Sequence, residues 1–190
     1  MKMYLSIIGA AAAVIAAVNI AVGTASWYYV IISVIWCIAL QFLFDGGLAI
    51  IIKLTPDRWY GIDKPCFNVS EREKELYKRL NVRRWKDKVW ELGGIGGFSK
   101  KSLVEPDNPE YIEKFIIECN KGVVTHRLSY PAGFLAMLTM FNVCSFTVAL
   151  PVAIVNLYLN ILPTLVLRYN TPKLKLVLER LRRKREKATK

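Results

Sequence analysis

The stretch WYYVIISVIWCIALQFLFDGGLAIII, residues 27–52, carries a single charge, Asp45. A bilayer crossing takes ~20 predominantly apolar residues, so this stretch is long enough to span. The pattern extends in both directions. From residue 3 to residue 52 Asp45 is the only charged side chain, and from 128 to 167 there is none. Each run has room for two passes. The whole chain of 190 residues agrees, being 54% apolar and 22% charged with a mean hydropathy of +0.29, too apolar for an ordinary soluble domain of this size. The sequence predicts an all-α integral membrane protein with about four transmembrane helices and cytoplasmic amphipathic helices. It leaves no room for a large soluble catalytic domain or a nucleotide-binding sheet of conventional size.

Charge is confined to the remainder. Residues 53–127 hold 16 Lys and Arg against 12 Asp and Glu, and residues 173–190 hold 9 against 2, within a net charge of +12. Basic segments bordering membrane spans satisfy the positive-inside rule and attract anionic lipid head groups. No nucleic-acid motif accompanies them, so membrane lipids rather than nucleic acid are the expected partner. One membrane domain, residues 1–190, is laid out as a first helical hairpin (1–52), a cytoplasmic amphipathic region (53–127), a second hairpin (128–168) and a basic amphipathic C-terminal helix (169–190).

Residues 4–22 leave two readings open. A signal peptide would use Gly23-Thr24-Ala25 as a small-residue cleavage site. A hairpin with a short polar turn is simpler, because the apolar pattern resumes at Trp27. Further on, Asp45-Gly46-Gly47 predicts a helix break close to the interface; an acid there is either functional or simply wetted. Residues 129–167 carry Pro131, Pro151 and Pro163 and predict two short or tilted helices.

The charged region is rich in amphipathic signals. Ser70-Glu71-Arg72-Glu73 is a capping box that predicts a helix start, with Leu76, Tyr77 and Leu80 on one face. Val82, Trp85, Val89 and Leu92 continue at helical spacing among cations, which fits an interfacial helix. Gly93-Gly94-Ile95-Gly96-Gly97-Phe98-Ser99-Lys100-Lys101 could let backbone N–H groups approach a phosphate, or be a plain membrane-proximal loop. Asp107-Asn108-Pro109 predicts a helix whose apolar stripe is Ile112, Phe115, Ile116, Cys119 and Val123, and extending that stripe reaches His126. Thr171-Pro172 predicts a further helix with Leu174, Val177, Leu178 and Leu181 on one face, lying on the membrane.

Several chemistries are absent. Cys37, Cys66, Cys119 and Cys144 form no C-x-x-C and no disulfide framework, and a lone histidine excludes a multi-histidine metal centre, so no metal is expected. No G-x-S-x-G elbow or His-x4-Asp box occurs. Cys119 and His126 share a face but stand ~10 Å apart on a straight helix, and Glu118 stands ~12 Å from His126. The buried, merely satisfied histidine competes with a proton-transfer role, for which imidazole is the side chain best suited near neutral pH.

The remaining motifs, in order and spacing, resemble the glycosyl-4,4'-diaponeurosporenoate acyltransferase family of small bacterial membrane proteins. They are Val82-Arg83-Arg84-Trp85-Lys86-Asp87, the glycine run ending in Lys100-Lys101, residues 112–118 followed by His126, and Asn160-Ile161-Leu162-Pro163 leading to Arg168-Tyr169-Asn170-x-Pro172-x-Leu174. The resemblance covers residues 55–185; the first span looks like an addition to it. Cys119, Lys121, Val123, Leu167 and Thr171 depart from the family pattern.

The resemblance implies transfer of a fatty acyl group from a thioester to a hydroxyl of a membrane (glyco)lipid, such as a glycosylated carotenoid, in the bacterial cell membrane. His126 would be the general base and Glu118 would orient it. Arg84, Lys86, Lys100 and Lys101 would hold the phosphates of an acyl-CoA or acyl-carrier-protein donor, and Trp85 would anchor the layer. Asp45, Arg168 and Asn170 would line the substrate at the same level. No further cofactor is implied. A non-enzymatic lipid-binding or scaffold subunit and a small lipid transporter are the competing classes.

Overall fold

The computed structural model describes residues 2–89, 103–140 and 142–188. Within them the chain forms helices and turns and no strand. Two compact units divide it: Met1–Ile52 with Thr125–Ile161, and Lys53–Val124 with Leu162–Lys190. The formally charged residues of the first unit are Lys2, Asp45 and Arg127; the division follows hydropathy.

The first unit begins with α1 (Lys2–Val22) and α2 (Trp27–Leu54), joined by a turn at Gly23, whose φ of 70° suits glycine. Their outward side chains are large and apolar: Val22 is 76% exposed, Ile35 62% and Leu43 66%. Such a surface belongs against lipid. Three helices among the described residues are long and apolar enough to cross a bilayer, Tyr4–Val22, Trp27–Leu54 and Ser145–Ala188. α2 runs unbroken through Asp45-Gly46-Gly47, contrary to the predicted break. Each helical glycine costs only ~1 kcal/mol against alanine, too little to interrupt a span whose backbone has no water to turn to.

Residues 125–140 return in shorter pieces: the end of α5 (Pro109–Ala132), then a 3₁₀ run at Gly133–Thr139. A π-turn at Ser145–Ala149 leads into α6 (Leu150–Ala188). The apolar core of this unit gathers Val34 and Cys37 of α2, Ala136, Met140 and Cys144, and Val148 and Val152, with Ala12, Ile15 and Ala16 of α1 packed on it.

In the second unit the capping signal is met. Ser70 Oγ accepts from Glu73 N at 3.2 Å and α3 runs Glu71–Arg79. The predicted continuous helix beyond it does not form. Asn81 takes a left-handed φ of 51° and leaves only α4 (Val82–Trp85) and a 3₁₀ turn; asparagine is among the few residues that tolerate this conformation. α5 starts where Asn108 Oδ1 accepts from Glu110 N and Tyr111 N. Its predicted stripe is buried: Ile112, Phe115, Ile116, Cys119 and Val123.

Two further expectations about the C-terminal segment are overturned. α6 passes through Pro163 and Pro172 without restarting at Thr171, whose Oγ1 donates to Leu167 O at 2.9 Å. Its apolar stripe does not lie on the membrane. Leu174, Val177, Leu178 and Leu181 pack on Ile112 and Ile116 of α5, and Arg182 pairs with Glu113 at 2.6 Å. Burial against a protein partner consumes the face that an interfacial helix would give to lipid.

Candidate functional site

Three helices of the first unit bring polar side chains into an apolar setting. α2 offers Gln41 and Asp45, α6 offers Asn156 and Asn160, each pair one turn apart on one face, and α5 offers His126. Asn160 is central. Its Nδ2 donates to Asp45 Oδ2 at 3.2 Å, to Asn156 O at 3.1 Å and to Asn156 Oδ1 at 3.2 Å. All three are oxygens, and the shared environment fixes which end of the amide is nitrogen.

The other end therefore meets histidine. Asn160 Oδ1 lies 2.8 Å from His126 Nδ1. A carbonyl oxygen can only accept, so Nδ1 carries the proton and the lone pair of the neutral ring sits on Nε2. The carboxyl group of Asp45 lies on the far side of the same amide. Asp45, Asn160 and His126 thus form a line of acid, amide and imidazole.

A glycine makes the neighbouring packing possible. Gln41 Nε2 donates to Gly133 O at 2.6 Å. A Cβ at Gly133 would stand 3.0 Å from Gln41 Oε1 and 3.1 Å from Asn156 Nδ2, so both amides press against a residue with no side chain. Those two atoms, with Asp45 Oδ1 and Ser129 Oγ, are buried without a hydrogen-bond partner among the described residues. Orphaned buried polar atoms cost ~1–3 kcal/mol each, and these four belong to the three helices that contribute Asp45, His126 and Asn160.

The second unit holds a different kind of polar centre. Arg168, whose side chain is 7% exposed, is gripped by both carboxylate oxygens of Glu73 and donates to Asn68 O at 3.0 Å. The Tyr77 hydroxyl donates to the same carboxylate. Burial first, and then this bond, hold the Tyr77 phenol well above the usual tyrosine range. Lys121 meets Asp57 at 2.5 Å and Glu118 at 3.7 Å. Burial alone would lower its pKa, but the bond to Asp57 and the Glu118 charge outweigh it and the net shift is upward.

Of the residues singled out from sequence, Asp45 and His126 are brought to one amide. Glu118 has Lys121 as its ion-pair partner, Arg168 has Glu73, and Lys86 meets Asp87 at 2.8 Å. Trp85 Nε1 donates to Leu80 O at 3.0 Å and Arg84 is exposed. Asn170 is half-buried on α6. Lys100 and Lys101, with the glycine run, lie outside the described residues. Gln41 and Asn156 were not anticipated, and Asn160 only as part of a motif. Their signal was present as uncharged polar residues spaced by four within spans, where such groups are expensive and usually functional. Among the described residues no cluster of side chains suits a metal ion.

Fold and cluster together define a helical integral membrane protein with a histidine-centred polar site. The chain belongs to the glycosyl-4,4'-diaponeurosporenoate acyltransferase family, whose family model matches residues 56–180. His126, Asn156 and Asn160 fall inside the match, and Gln41 and Asp45 precede it. No curated protein and no solved structure matches the chain.

Proposed function

We propose that the protein is an O-acyltransferase that moves a fatty acyl group from a thioester, acyl-CoA or acyl-carrier protein, to a hydroxyl of a membrane glycolipid such as a glycosylated carotenoid. The observation that carries the reading is the fixed Asn160 amide, which leaves the basic nitrogen of His126 at Nε2. Nε2 takes the proton of the acceptor hydroxyl as its oxygen attacks the thioester carbonyl. The imidazolium keeps its Nδ1–H on Asn160 Oδ1. When the tetrahedral intermediate collapses, the C–S bond breaks, and the ring returns the proton to the departing thiolate. General base catalysis of this kind contributes ~10²- to 10⁴-fold.

The orphaned atoms support a hydroxyl-bearing acceptor. Gln41 Oε1 and Asp45 Oδ1 accept, Asn156 Nδ2 donates, and Ser129 Oγ can do either; a polyol satisfies all of them. The positive-inside rule favours the basic segments 53–127 and 173–190 on the cytoplasmic face of a bacterial membrane, where thioester donors are made. There Arg84, Lys86, Lys100 and Lys101 serve the donor's phosphates. The test uses purified protein in lipid nanodiscs with radiolabelled acyl-CoA or acyl-carrier protein, offering a glucosyl lipid or its sugar-free counterpart. Label entering only the glucosyl lipid supports the proposal. Absence of acyl transfer to either acceptor from both donors overturns it.

A further inference from the structure

The helix leading through α6 loses a backbone N–H at three prolines, Pro151, Pro163 and Pro172, and the first two flank the asparagines of the site. Proline has no N–H, so Pro151 cannot bond Thr147 O and Pro163 cannot bond Leu159 O, the carbonyls one turn back. The π-turn at Ser145–Ala149 widens the helix just before the first of them. At both carbonyls a side chain of α1 supplies a donor. Asn19 Nδ2 donates to Thr147 O at 2.9 Å, and the Tyr4 hydroxyl donates to Leu159 O at 3.3 Å.

The two contacts run antiparallel, the late residue of α1 meeting the π-turn just before α6 and the early residue of α1 meeting Leu159 within it. Asn19 is only 4% exposed in a helix that otherwise faces outward. Its amide also donates to Ile15 O at 2.8 Å. An asparagine in a span is expensive; here the Nδ2 end of the amide is satisfied, in part at a proline gap, while Oδ1 is buried without a hydrogen-bond partner among the described residues. Ala12, Ile15 and Ala16 seat the same face on the core around Cys144 and Val148.

Between the two prolines lie Asn156 and Asn160. We propose that α1 is a permanent member of the first unit, and that Tyr4 and Asn19 are positioning residues that hold the segment 151–163 so that Asn160 Oδ1 reaches His126 Nδ1. The alternative, a leader removed near Gly23, would leave two span carbonyls without these donors. α1 precedes the family match at 56–180. The part concerning turnover rests on the acyltransferase reading; the retention and bracing of α1 do not.

Three measurements on the full chain in nanodiscs test the proposal. Intact-mass analysis of protein from native membranes should recover residues 1–22; loss of that segment would overturn the proposal. Hydrogen exchange of peptides covering 150–164 should quicken in Tyr4→Phe and in Asn19→Leu, with peptides from 57–89 unchanged. Wild-type exchange in both variants would overturn the brace. In acyl transfer, kcat should fall at least about tenfold with KM held, the mark of a displaced catalytic group; unchanged kcat in both variants would overturn the positioning role. If the wild type transfers no acyl group, mass and exchange still decide for or against α1, and the acyltransferase reading fails separately. Tyr4→Phe removes one oxygen only, so it remains informative if Asn19→Leu folds poorly.

Discussion

His126 Nδ1 lies 2.8 Å from an Asn160 Oδ1 whose orientation is set by the three oxygens around the other end of the amide. One hydrogen-bond network therefore chooses the tautomer of the chain's only histidine. Asn160→Leu removes that choice while filling similar space. Turnover should drop by roughly 10²-fold with KM little changed, since orientation rather than binding is lost. Steady-state kinetics on folded protein checks this; an equal fall in kcat/KM caused wholly by KM would show that Asn160 binds substrate instead.

Gly133→Ala reaches the same site without touching histidine. The new Cβ would press on Gln41 Oε1 and Asn156 Nδ2 at 3.0 and 3.1 Å, and overpacking of this kind costs ~1–3 kcal/mol. Gly122→Ala is the control. Its Cβ would meet only the Leu167 Cδ1 methyl, at 2.9 Å, and a side-chain end can rotate away. Thermal unfolding should show the larger loss at Gly133, accompanied by reduced acyl transfer.

Arg168 and Glu73 form a pair that supports the fold. Removing one partner of a buried pair costs ~3–5 kcal/mol, so Arg168→Met should lower thermal stability while protein that remains folded keeps its turnover. The adjacent Tyr77 gives a pH signature. Its phenol binds its proton more tightly folded than unfolded, so its contribution is complete below the unfolded tyrosine pKa of ~10 and is lost as pH rises toward the higher folded value. Tyr77→Phe should flatten the alkaline decline in stability measured by denaturation across that range.

Cys66 is the thiol that reports sidedness, because Cys37, Cys119 and Cys144 are buried. An impermeant maleimide should leave intact cells unlabelled and react in inside-out vesicles, and Cys66→Ser should abolish the signal. Labelling from outside would invert the topology.

How far sequence reading reached is clear from particular residues. Hydropathy located α1 and α2, and the Ser70 and Asn108 caps located the starts of α3 and α5, because these are local effects. Asn81 stopped a helix that periodicity alone extended, since periodicity does not register a left-handed residue. Pro172 was read as a helix start but is carried inside α6, and so is Pro163, where a donor far away in sequence, Tyr4, reaches the carbonyl that lost its N–H. Glu73 looked like the reciprocal half of a capping box, yet its carboxylate goes to Arg168, 95 residues on. For the site, the uniqueness of His126 and the lone charge of Asp45 were visible. The amide that joins them was not, because a neutral asparagine in a span has no charge to draw attention and its partners are set by packing.

The most direct test of the account is the acyl-transfer rate of His126→Gln, normalised to folded protein, against wild type. Glutamine retains hydrogen-bonding capacity toward Asn160 but cannot take the hydroxyl proton, so turnover should fall by ~10²- to 10⁴-fold with thermal stability nearly unchanged. Turnover close to wild type would contradict the account and remove His126 from the chemistry.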